Sequence, residues 1–111
     1  MTAMNNGQPT YDTAGMNMVG QGTPVQTLTL DGSQTSVPVT NNLEAGVMYR
    51  LLSRVDFFYV FGDSPSADDD DIPVGANFPE YITPLTATKI AVCDDGDSGS
   101  VWVTKMQRYG E

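Results

Sequence analysis

From Val25 the chain begins to alternate. In VQTLTL, Gln26, Leu28 and Leu30 fall on one side of an extended backbone, and Val25, Thr27 and Thr29 fall on the other. β-branched residues favour that backbone, and DGS at residues 31–33 supplies a turn. SVPV, residues 36–39, reads as a short edge strand, because Pro38 cannot donate a ladder hydrogen bond. Asn41, Asn42 and Gly46 enclose the next loop.

The densest apolar run is VMYRLLSRVDFFYVFG, residues 47–62. Its crowded aromatic and branched side chains predict two strands, at about residues 47–53 and 56–61, joined by a very short turn or a bulge. The first sets Val47, Tyr49 and Leu51 against Met48, Arg50 and Leu52; the second sets Phe57, Tyr59 and Phe61 against Phe58 and Val60. Both faces are largely apolar, whereas a strand with one face in water alternates more cleanly. In so small a protein the second apolar face is expected to be covered by the chain's own arm or by a neighbouring subunit.

DSPSADDDDIPVGANFPE is loop-rich, with Ile72 and Val74 as a short strand, and YITPL, TKIAVCD and SVWVTKMQRY give the closing strands. In TKIAVCD, Thr88, Ile90 and Val92 share one face, and Ala91 and Cys93 the other. Seven or eight short strands separated by Gly, Pro, Asn and Asp predict an all-β fold, an antiparallel sandwich or barrel. Jelly roll is the first topology to consider; an immunoglobulin-like sandwich stays open, since spacing does not fix strand order. Residues 1–22 show neither period and read as an extended or partly disordered N-terminal arm, with residues 23–111 as a single β domain. The arm is either a frayed terminus or a strap that lays Tyr11, Met16, Met18 and Val19 on another subunit.

Length and charge narrow the picture. A chain of 111 residues supports one modest core, which buries roughly two thirds of the surface of the extended chain. Fourteen acidic residues against five basic ones give a net charge of −9, which disfavours direct contact with nucleic acid or anionic membranes. The start of the sequence lacks a basic segment followed by an apolar one, so no signal peptide is expected, and no run approaches the ~20 apolar residues of a membrane span. Cys93, the one cysteine, excludes an intrachain disulfide and reads as a small buried hydrophobe.

GDSGS, residues 96–100, looks like the surroundings of a protease serine. The sequence contains no histidine, so Ser98 lacks the imidazole that a serine relay requires, and neither Lys89 nor Lys105 stands at a spacing that marks a serine–lysine pair. The five letters read as a tight turn in a non-enzyme. Asp68, Asp69, Asp70 and Asp71 stand in succession, and Asp95 and Asp97 flank Gly96. Two readings apply: solvated loops, or a calcium site built on Asp95 and Asp97 with help from Asp68 and Asp71. No other cofactor is expected. Trp102, with surface tyrosines, offers a glycan platform as an alternative to a place in the core.

Residues 45–106 are similar to a group of small bacteriophage virion proteins, the head-decoration or head-fibre accessory components. The resemblance lies in GVMYRLLSRVDFFYVFGDSPSA, IPVGANFPEYI and TKIAVCDDGDSGSVWVTKM: an apolar strand into Phe61-Gly62, a Pro/Ala-rich loop, the Pro73 to Gly75 approach, the strand through Lys89 to Val92, a Gly-rich hairpin and a Val-rich last strand. It implies a compact β domain in a symmetric assembly, often a trimer, that is made in the host cytoplasm and carried in the virion. It implies as partners further copies of the chain and other virion proteins such as the major capsid protein. No active-site residue comes with it. Phe57, Phe58 and Tyr59, with Tyr11, Met16 and Met18, are the expected subunit contacts; a glycan-binding module using Trp102 is the alternative function.

Overall fold

A computed structural model describes residues 19–108 as backbone and residues 22–106 with their side chains. Eight strands follow one another: β1 (Val19–Asp31), β2 (Val37–Pro38), β3 (Tyr49–Ser53), β4 (Phe57–Gly62), β5 (Ile72–Val74), β6 (Glu80–Ile82), β7 (Lys89–Asp94) and β8 (Ser98–Arg108). They form two antiparallel four-stranded sheets packed as a sandwich, ordered β1-β8-β3-β6 and β2-β7-β4-β5. No helix occurs among the described residues. The all-β sandwich read from the alternation is the fold.

Proline placement follows hydrogen-bond chemistry. Pro24, Pro38 and Pro73 lie in β1, β2 and β5, all edge strands, where a missing N–H interrupts no interior ladder. At the β1 edge the register slips between Pro24 and Gln26, and the Gln26 amide then binds Thr40 beyond β2 through two hydrogen bonds of 2.9 and 3.2 Å. That side chain closes the seam between the sheets where no backbone ladder does.

The core is the inward half of each alternation. Leu28, Leu30, Leu51, Val101 and Val103 from the first sheet meet Phe57, Tyr59, Ile90 and Val92 from the second, all buried. Each large apolar side chain so placed stabilises the fold by roughly 1.5–3 kcal/mol relative to exposure. β3 and β4 are adjacent in sequence yet belong to different sheets, and the three-residue link 54–56 carries the chain from one layer to the other. The very short turn or bulge expected within that apolar run is a crossing between layers, and both strands place one face in the same interior from opposite sides.

The second apolar face is partly covered by the β4–β5 connection. Outward from β4 and β7 project Phe58, Val60, Ala91 and Cys93, and Ala67 of the β4–β5 connection packs on them. The Ala67 N–H donates to Ser36 Oγ at 2.9 Å, which pins the connection across the sheet. Ala67 of the chain's own connection lies on this face, and residues 1–18 of the expected arm fall outside the described residues. The arm expected over residues 1–22 also differs at its end: residues 19–22 belong to β1, with Val19 opposite Arg108 and Gly22 opposite Met106 in β8.

Candidate functional site

The side of the first sheet that faces away from the core carries the aromatic and cationic chemistry. In β8, Val101 and Val103 point inward, so Trp102 points outward and keeps 36% of its surface exposed. Leu52 of β3 lies opposite it on one side and Thr27 of β1 on the other. Two residues along the same face, Arg50 stands between Thr104 of β8 and Tyr81 of β6, and Tyr81 is 52% exposed. Arg54, just past β3, holds its guanidinium 5.9 Å from the centre of the Trp102 ring, within range of a cation–π contact.

Arg50 adds a second observation. Its Nε is buried and has no hydrogen-bond partner among the described residues. A buried donor without an acceptor is costly, by about 1–3 kcal/mol. The remaining basic residues with described side chains are elsewhere: Lys105 pairs with Glu44 at 2.9 Å, and Lys89 opens β7 in the other sheet. On a chain of net charge −9, the centre of this face is locally cationic, since β3 and β6 direct Arg50, Leu52 and Tyr81 outward while the Glu80 carboxylate turns to accept from the Tyr59 hydroxyl at 2.8 Å.

No family model, curated protein or solved structure matches the chain.

The other residues singled out in the sequence fall in several places. Phe57 and Tyr59 belong to the chain's own core, at 0% and 4% exposure, and Phe58 lies half-buried on the opposite face of β4 beside Ala67. Tyr11, Met16 and Met18 lie outside the described residues. Ser98 opens β8 opposite Asp31, at the end of the β7–β8 hairpin. Lys105 is seven residues further along the same strand, about 23 Å away at the rise of an extended chain. GDSGS is a turn.

The acidic segments also have defined positions. Asp95 and Asp97 are exposed in the β7–β8 hairpin. Asp68, Asp69 and Asp70 bring carboxylate oxygens within 4.8 Å of one another on the exposed β4–β5 connection, the one such group among the described residues, and Asp95 and Asp97 do not join it. Calcium takes about six to eight oxygens. Asp68 Oδ1 accepts from the Asp70 N–H at 2.9 Å, and Asp71 Oδ2 accepts from the Asp68 N–H at 2.8 Å, which shapes the connection as a turn.

Sequence reading missed Arg50, Arg54, Tyr81 and Asp94. Arg50 carried a signal, as the charged member of the Met48, Arg50, Leu52 side of β3. Tyr81 and Arg54 carried none, because strand order decides their neighbours. Asp94 is fully buried and accepts three backbone N–H groups from two loops: Gly32 at 3.0 Å, Gln34 at 3.1 Å and Gly96 at 2.9 Å. It organises the end of the sandwich nearest Ser98.

Burial has a measurable consequence at Cys93. Burial first, and then the nearby Asp94 and Asp68 carboxylates, push its thiol from 9.0 up to about 11. The unfolded thiol ionises first as pH rises, so this stability is complete below pH 9 and is lost toward pH 11, by about 2–3 kcal/mol. Tyr59, raised from 10.0 by burial and by its hydrogen bond to Glu80, extends the loss above pH 10. Urea unfolding at pH 8 and pH 10.5 should show the fall, with a shallower slope in Cys93→Ala. An identical slope in that variant would remove Cys93 as the cause.

Proposed function

We propose that the chain is a non-catalytic structural protein of a bacteriophage virion, an oligomeric capsid accessory or decoration component that contacts further copies of itself and the major capsid protein. The observation that carries this reading is the strand order. Strands β1, β8, β3 and β6 against β2, β7, β4 and β5 support a jelly roll, two Greek keys folded face to face, an architecture shared by capsid and lectin domains. The resemblance of residues 45–106 to phage accessory proteins favours the capsid branch. Fold alone does not assign function, so weight also falls on what the surface displays: a Trp, Tyr and Arg face, the residue types that dominate protein interfaces.

A trimer is the assembly this reading implies, made in the host cytoplasm and carried in the virion. Localisation in purified particles by electron microscopy and mass spectrometry tests the placement; consistent absence from assembled particles would end it. Light scattering across micromolar concentrations tests the assembly. A persistent monomer rejects self-association, whereas a stable dimer rejects only the trimer. The exposed Trp102 ring favours one second reading, a glycan-binding module, which a saturable sugar complex at that ring would establish.

A further inference from the structure

We propose that the Arg50, Arg54 and Trp102 face of one copy docks the acidic connection Asp68, Asp69 and Asp70 of a second copy, in a head-to-tail contact. This rests on the self-assembling reading above and names the surfaces that carry it.

Three observations lead there. The face is cationic and aromatic, with Arg50 between Thr104 and Tyr81 and the exposed Arg54 guanidinium beside the Trp102 ring. The connection is its complement: three exposed carboxylates close together, with no basic residue from Asp63 to Asp71. Arginine takes carboxylates in paired, charge-assisted hydrogen bonds, and a planar guanidinium above an indole ring presents its edge to such a partner. Third, the two surfaces lie on opposite sides of one sandwich, the face on the first sheet and the connection over the second. Sheets in a sandwich pack about 10 Å apart, and the side chains outside them add more, so one copy cannot bring its own surfaces together. Two copies can.

Because different patches meet, the contact is heterologous, and it builds a closed ring where the rotation between copies closes. Local attraction must also act against the general repulsion of two chains of charge −9. That opposition makes the proposal separable from any simple effect of net charge.

The experiment is a charge exchange on the full chain, read by sedimentation velocity and light scattering. Reversing the face (R50E/R54E) should raise the concentration for half-dissociation by more than about tenfold. Reversing the connection (D69K/D70K) should weaken association as strongly, although it lowers the net negative charge and so would tighten a contact governed by general repulsion. The chain carrying all four changes keeps the native net charge of −9 and should return to within about threefold of native association. Arg54 and the aspartates are exposed, so R54E with D69K, singly and together, repeats the test should R50E disturb the fold.

Native-like association in both single-surface variants would overturn the proposal while leaving self-assembly standing. Failure of the combined chains to recover, with their melting temperatures intact, would overturn it too. A native chain that stays monomeric would reject it together with self-association. If that monomer shows saturable Trp102 fluorescence changes with oligogalacturonate, lost in R50E/R54E, the face belongs to an acidic glycan. Absence from virions with the charge exchange intact would refute only the placement.

Discussion

Asp94→Ala should destabilise the protein by about 3–5 kcal/mol, more than its single side chain suggests. The carboxylate is fully buried and accepts from the Gly32, Gln34 and Gly96 N–H groups. Those three residues are also among the few with positive φ, at 82°, 57° and 104°. The β1–β2 and β7–β8 loops thus turn through left-handed backbone to aim three donors at one acceptor. For the non-glycine Gln34 that conformation is costly by itself, and the hydrogen bond to a charged group offsets the cost. Alanine leaves three donors without an acceptor at the end of the core, beside Phe57 across the β4–β7 ladder. Asn keeps one acceptor oxygen but turns its own N–H₂ toward a donor, so Asp94→Asn should lose about 2–3 kcal/mol. Urea unfolding measures both. A loss below about 1 kcal/mol in the alanine variant would show that water or loop relaxation replaces the carboxylate.

Asp94 also marks where sequence reading stops. An aspartate at the end of an apolar strand, before Asp95 and Asp97, looks like one more solvated charge. Only the meeting of two loops separated by about sixty residues distinguishes it, and the Gln34 to Asp94 hydrogen bond spans that distance. Local features were more legible. Alternation set Leu28 and Leu30 on one side of β1, which is the core side, and Pro38 signalled an edge. Period two fixes which residues share a face, and proline fixes where a ladder can end, without knowledge of the partner strand.

The same limit explains the face built on Trp102. Alternation puts Trp102 opposite the core-facing valines, yet its neighbours Leu52, Arg50 and Tyr81 come from β3 and β6, and β8–β3–β6 adjacency is a property of topology. Phe57 and Tyr59 illustrate the converse. Their strand has two apolar faces: one is the core, and the other carries the half-buried Phe58 and Val60 with Ala67 of the β4–β5 connection packed on them. A cover made of DSPSADDDD is hard to anticipate, because one alanine supplies the apolar contact within a polar and acidic segment.

That cover supports the second large effect. Replacing residues 64–70 with a Gly-Ser-Gly link should leave β4 and β5 paired, since Tyr59 opposite Ile72 already closes the ladder below the connection. It should remove Ala67 from Ala91 and Cys93 and expose the outward sides of Phe58 and Val60. Uncovering on the order of 100–150 Å² of apolar surface corresponds to about 2–4 kcal/mol. The resulting patch should also promote aggregation. Cys93 gives the sharper readout. Fully buried and with its thiol raised to about 11, it should resist an aromatic disulfide reagent in the native chain at pH 8. In the shortened chain its modification should accelerate by at least about a hundredfold, because reagent access no longer requires local unfolding. Removal of carboxylates also changes the local charge, so D68N/D69N/D70N, which retains Ala67, is the necessary comparison. Protection in that triple variant and reactivity in the shortened chain would assign the shield to Ala67 and its backbone. Equal, slow modification in all three chains would show that the outward face is closed by something other than the connection.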